Sequence, residues 1–151
     1  MARFRYRMQS ILNIKQKLED QARNDFAQER LRLNEEEEKL ESLKSRLEHY
    51  YLEGRQMRQS NLHVLELQEN KEAIARMEEY ISLQELEVRR AQKRLDAARD
   101  ALQKAMQETK TQERLRENAF EAFMREENAK EAKEVDELTS YTYGAANKAN
   151  G

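Results

Sequence analysis

The chain has 151 residues, of which 38% are charged and 7% aromatic, with three Gly and no Pro, Trp or Cys. Such a composition belongs to long helices and coiled coils; it argues against a compact domain with a thick core, and the missing cysteine excludes disulfides and thiolate chemistry. A net charge of −2 supplies no global field to attract nucleic acid or anionic lipid.

At the N-terminus, Arg3, Arg5 and Arg7 alternate with Phe4, Tyr6 and Met8 before a helical pattern begins. Ile11, Ala22 and Leu33 stand at eleven-residue spacing, with Met8, Leu18 and Phe26 between them, which predicts a nearly straight or slightly right-handed stripe. From Leu33 the frame becomes heptad: Leu33, Glu36, Leu40, Leu43, Leu47, Tyr50, Gly54 and Met57. The run Glu35 to Glu38 reads as a solvated face.

The frame then breaks. A second heptad series starts at Leu67 and holds to Phe123 through Asn70, Ile74, Met77, Ile81, Gln84, Val88, Ala91, Leu95, Ala98, Leu102, Ala105, Thr109, Gln112, Arg116 and Ala119. It falls one residue short of matching the first series, so an unbroken helix would turn its stripe by roughly 100° here. Gly54 lowers helix propensity in the gap, and Asn61, after Ser60, is a good N-cap for a helix starting at Leu62. The chain therefore reads as an N-terminal lead-in and first helix over 1–56, a turn over 55–61, a second helix over 62–138 and a flexible tail over 139–151.

The expected fold is all-α: a long antiparallel two-helix coiled-coil hairpin with an overhanging second helix. At 1.5 Å per residue the helices extend on the order of 75 Å and 115 Å. With the turn at 55–61, facing residues have numbers that sum to roughly 118. This places Leu33 near Gln84 and Glu85, and Leu12 near Ala105 and Met106. Small Ala91, Ala98 and Ala105 then face Ile14, Leu18, Ala22 and Phe26, where a large residue can meet a small one. A parallel dimer of long helices is the second arrangement; the frame break and the different repeat of helix one disfavour it.

No motif carries catalysis. The three glycines make no phosphate loop, chance carboxylate pairs abound, and a two-helix fold offers little concavity. His49 and His63 flank the turn without a third ligand at metal spacing, so no metal or other cofactor is expected. Arg89, Arg90, Lys93, Arg94 and Arg99 are interleaved with the core stripe and make a poor nucleic-acid face. No apolar run reaches membrane-spanning or signal-peptide length, which places the protein in the cytoplasm without insertion into a membrane. Function must then reside in apolar side chains at the ends. Thr109, Gln112 and Arg116 interrupt the aliphatic seam, so the open end should loosen. Phe4, Tyr6 and Met8 there, with Phe120, Phe123 and Met124, either insert into a partner or pack on one another as a plug. Tyr50, Tyr51, Met77 and Tyr80 form a second cluster toward the turn, with Tyr51 and Tyr80 off the stripe.

Phe4-x-Tyr6-x-Met8-Gln9-x-Ile11-Leu12-x-Ile14-Lys15 resembles the N-terminal signature of the FliJ family, the small coiled-coil component of bacterial flagellar type III export. The size, the broken heptads and the late Glu134-Val135-Asp136-Glu137-Leu138 stretch are similar too. The resemblance implies a stalk-like, non-enzymatic export component that serves flagellar assembly, and through it motility and chemotaxis. It implies that the open end, here Phe4, Tyr6, Met8, Ile11, Leu12, Phe120, Phe123 and Met124, enters the ring of the flagellar export ATPase. It also implies binding to the export-gate membrane protein through Lys39, Leu43, Arg46, Tyr50, Ala73, Met77, Tyr80 and Gln84, where Arg46, Ala73 and Tyr80 depart from the family pattern. Some members bind export chaperones, and the protein is expected at the membrane only peripherally, through the apparatus. A generic cytoplasmic coiled-coil scaffold or chaperone that binds partner helices is the alternative.

Overall fold

The computed structural model describes residues 2–60 and 63–149 and contains two α-helices, α1 (Gln9–Gln59) and α2 (Val64–Ala149). There is no strand among the described residues. Runs of Glu, Lys, Arg, Gln, Leu and Ala with no proline let each helix continue without a break. α1 begins where the Tyr6 carbonyl accepts the Gln9 N–H at 3.2 Å and the Met8 carbonyl accepts the N–H groups of Ile11 and Leu12. The sequence pattern predicts a start near residue 6, so α1 begins slightly later.

α1 ends at Gln59 rather than near residue 56, because Gly54 remains helical and has no positive φ. The expected cap Asn61 and first residue Leu62 lie outside the described residues. α2 does not stop at Leu138. It continues through Gly144 to Ala149, so the segment expected as a flexible tail is helical as far as it is described. Nothing there forces a stop: there is no proline, Gly144 keeps a negative φ, and Ala145, Ala146 and Lys148 favour the helix.

The helices pair antiparallel in each of two compact units. One unit spans Asp20–Lys104. Its core holds Leu33, Ala91 and Leu95, with Phe26 and Val88 packed against them. The Arg99 guanidinium lies 6.0 Å from the Phe26 ring centre. Leu33 thus packs with Ala91 and Leu95, while Gln84 bonds Glu36 one turn away, so the pairing is displaced by roughly one turn along α2. The cause is the turn: α1 runs further and α2 starts later than the frame break implied.

The other unit joins the N-terminal stretch, up to Glu19, with α2 from Ala105 onward. Leu12 and Thr109 are buried there. Lys15 Nζ pairs with Glu108 at 3.0 Å, and Thr109 Oγ1 donates to the Lys15 carbonyl at 3.2 Å. Lys15 is one turn on from Leu12, so the pairing is displaced from the expected Ala105 and Met106 in this unit also.

The α2 stripe read from the sequence is buried or half-buried at every position except Arg116. α1 differs from expectation over its first half. Ile11, Leu18 and Met8 are exposed, and the inward positions are Leu12, Lys15, Glu19, Ala22, Phe26, Glu29 and Leu33. The heptad frame therefore begins at Leu12, with no eleven-residue segment. Charged residues hold seam positions because their stems cover the seam while their heads reach partners or water. Lys15 does so through Glu108, and Glu29 through Arg32 at 3.2 Å.

Candidate functional site

In the unit holding the N-terminus, Phe4 is the centre of an aromatic plug. Its ring meets Phe120 edge-on at 5.2 Å between centres and Phe123 at 5.4 Å, and the Arg116 guanidinium lies 5.8 Å from its centre. Such contacts add modestly to area burial. Tyr6 donates to Gln112 at 3.4 Å, and Arg116 donates to Gln9 at 3.0 Å. The expected loosening at Thr109, Gln112 and Arg116 is absent: Gln112 and Arg116 bond across to the N-terminal segment, and the Thr109 hydroxyl is satisfied between the Ala105 carbonyl of its own helix at 3.0 Å and the Lys15 carbonyl across the seam. A buried hydroxyl or amide with a partner costs little, whereas one without a partner would open the seam.

The eight residues singled out at this end divide by direction. Leu12 is buried, and Phe4, Tyr6 and Phe123 are half-buried. Met8, Ile11, Phe120 and Met124 are exposed, at 38–45%. Plug and outward apolar rim coexist, because Phe120 and Met124 lie one residue beyond seam positions Ala119 and Phe123. Ile14 and Leu18 add to the exposed apolar surface on α1, and Leu115 on α2. The sequence reading assigned Leu18 to the stripe and Ile14 to the interface.

The second group lies in the other unit, and most of it does internal work. Gln84 Nε2 donates to the Glu36 carbonyl at 3.0 Å and to the Glu36 carboxylate. That bond from Gln84 holds the Glu36 carboxyl below its ordinary value of 4.5, against the upward push of partial burial; Lys39 lowers it further. The Tyr50 carbonyl accepts from Asn70 Nδ2 at 2.9 Å. Leu43, Ala73 and Met77 are half-buried. Lys39, Arg46 and Tyr80 are the members that face solvent. Tyr51 is exposed and donates to Glu78 at 2.7 Å, which raises its pKa above 10.0.

Two residues were missed. Leu83 and Leu86 are exposed, and with Leu43, Tyr80, Gln84, Glu87 and Arg90 they line a shallow groove. They lie off the heptad stripe, on positions read as solvated. The available signal was the three-residue spacing Tyr80, Leu83, Leu86, a second apolar row beside the seam.

His49 pairs with Glu53 at 3.1 Å, and His63 is exposed. No group of three metal-ligating side chains occurs among the described residues. In the basic stretch, Arg90 pairs with Glu87, and Arg99 leans toward Phe26. No described helix is long and apolar enough to cross a membrane.

Comparison with known proteins follows the same lines. The family model described as flagellar FliJ protein matches residues 4–148. No curated protein sequence matches significantly. A solved structure from Chlamydia trachomatis, described as that of a YscO homologue, CT670, is similar with a TM-score of 0.74 at 24% identity. The match covers 97% of this chain and 99% of that one. At that identity the likeness speaks to the fold.

Proposed function

The chain belongs to the flagellar FliJ family, whose members are type III export components, and we propose from this that it is a stalk-like, non-enzymatic coiled coil between the export ATPase ring and the export gate. In this reading it promotes assembly or turnover of the ATPase and export of substrates. It works in the cytoplasm, held at the membrane only through the apparatus.

The observation that carries the reading is the apolar rim of Met8, Ile11, Phe120 and Met124 around a packed aromatic plug. Exposed aliphatic and aromatic side chains on a firm base make good anchors, since little side-chain order is lost on docking. A ring whose subunits contact one stalk in turn also requires few specific pockets on it. For the gate, the solvent-facing members Lys39, Arg46 and Tyr80, extended by Leu83 and Leu86, form the contact surface. Tyr50, Met77 and Gln84 hold the helices beneath it.

The test is ATP hydrolysis by the cognate flagellar export ATPase with and without the protein, with ring assembly followed by light scattering. Stimulated turnover and more rings are expected. No binding and no effect would overturn the stalk reading and leave a scaffold that binds partner helices. For the gate, Tyr80→Ala and Leu83→Ala should weaken binding of the gate's cytoplasmic domain without lowering helicity.

A further inference from the structure

Beyond the aromatic plug, α2 changes its apolar side. Its seam series would continue from Phe123 through Glu126, Lys130, Lys133 and Glu137, all exposed and charged. Apolar residues resume instead on another face: Val135, Leu138, Thr142 and Ala146 share one shallow groove along the helix. Every described side chain from Asn128 to Lys148 is exposed. Helices gain most of their stability in water by burying a face against something, so this segment lacks a partner. α1 cannot supply it within the same chain. The helices are antiparallel, Phe4 already lies against Phe120 and Phe123, and α2 continues as one helix from there to Ala149.

The same unit contains a second uncovered stripe, on α1. Ile11, Ile14 and Leu18 are 38%, 56% and 46% exposed. Their spacing, three residues and then four, is also that of Val135, Leu138 and Thr142. The charges beside the two stripes are opposite. Arg7 and Lys17 flank the α1 stripe; on α2, Glu131, Glu134 and Glu137 flank the other stripe with Lys130 among them, while Lys133 and Asp136 fall on the far side of the helix. Matched apolar spacing with opposite flanking charge is what two helices need to pair.

We propose that two copies of this chain associate through this unit, the acidic stripe around Leu138 on each α2 covering the basic stripe around Ile14 on the partner's α1. The contact is isologous: each copy gives one stripe and receives the other, so the assembly closes as a dimer. Helical order up to Ala149 is then a property the dimer secures.

Sedimentation equilibrium of the full chain, alone, over ~1 μM to ~500 μM and at low and high salt, tests this. A monomer–dimer equilibrium weakened by salt is expected. Leu138→Glu should raise the dimer Kd at least about tenfold. Glu134→Lys and Lys17→Glu should each weaken the dimer, and the chain carrying both changes should recover it. All three sites are exposed, so circular dichroism at low concentration should show an unchanged hairpin. A monomer at every concentration overturns the proposal, as does a dimer indifferent to Leu138→Glu or a double charge reversal that fails to recover. The ATPase is absent throughout, so the result is separate from the stalk reading.

Discussion

Asn70 on α2 fills the space that Gly54 on α1 leaves open: a Cβ on Gly54 would lie 2.6 Å from Asn70 Oδ1. The carboxamide turns its Nδ2 to the Tyr50 carbonyl at 2.9 Å. Asn70 is 6% exposed, so this is a buried polar contact that holds at one axial setting of the helices. A single polar residue in a seam fixes register in this way at some cost in stability. The glycine expected as a breaker is therefore a socket.

Gly54→Ala brings two opposed effects. The helix gains about 1 kcal/mol in propensity, while the displaced, buried Asn70 amide costs about 1–3 kcal/mol. The expected net is a destabilisation of about 1 kcal/mol in the natural chain, measured by urea unfolding. In an Asn70→Ala background the same change should stabilise by about 1 kcal/mol, because only the propensity term remains. Equal effects in both backgrounds would mean that the socket does not couple the residues.

Glu29 holds a seam position, and its Oε2 is buried without a hydrogen-bond partner while Oε1 takes Arg32. Glu29→Leu exchanges this for apolar contact and should raise stability by about 1 kcal/mol. A lower unfolding midpoint in the variant would contradict this account of the seam.

The Glu36 carboxyl has a folded pKa below its ordinary 4.5, chiefly through the bond from Gln84. Its stabilising contribution is fully present above that ordinary value and disappears as pH falls through the lowered one. Gln84→Leu should therefore cost more stability, relative to the natural chain, at pH 7 than near pH 2.5. A pH-independent difference would assign the effect of Gln84 to its bond with the Glu36 carbonyl alone.

At the aromatic end, Met124→Ala and Phe120→Ala should separate from Phe4→Ala. The first two residues are 40% and 45% exposed. Under the stalk reading proposed above, truncating either should lower the affinity for the export ATPase about tenfold, with little change in unfolding midpoint. Phe4 touches both phenylalanines of α2, so its loss should also destabilise the hairpin by about 1–2 kcal/mol. Unfolding curves beside a titration of ATPase stimulation distinguish the cases. Full stimulation by the Met124 variant would remove that residue from the interface.

What the sequence determined by itself is one-dimensional. Heptad spacing identified the inward face of α2 from Leu67 to Phe123, because side chains seven residues apart return to nearly the same face whatever they meet. Absent proline and the frame break before Leu67 foretold two helices turning back on each other. Tertiary structure decided how far one helix is slid along the other. That depends on where particular shapes interlock, as Gly54 with Asn70 and Leu33 with Ala91 do. It also decided between Ile11 and Leu12, neighbours of equal hydrophobicity, since the winning face carries Lys15 and Glu19 and is tolerable because Lys15 finds Glu108 across the seam. A pattern of apolar letters counts such residues as solvent-facing; whether a charge is accommodated in a seam depends on a partner distant in sequence, which only the folded pair of helices brings near.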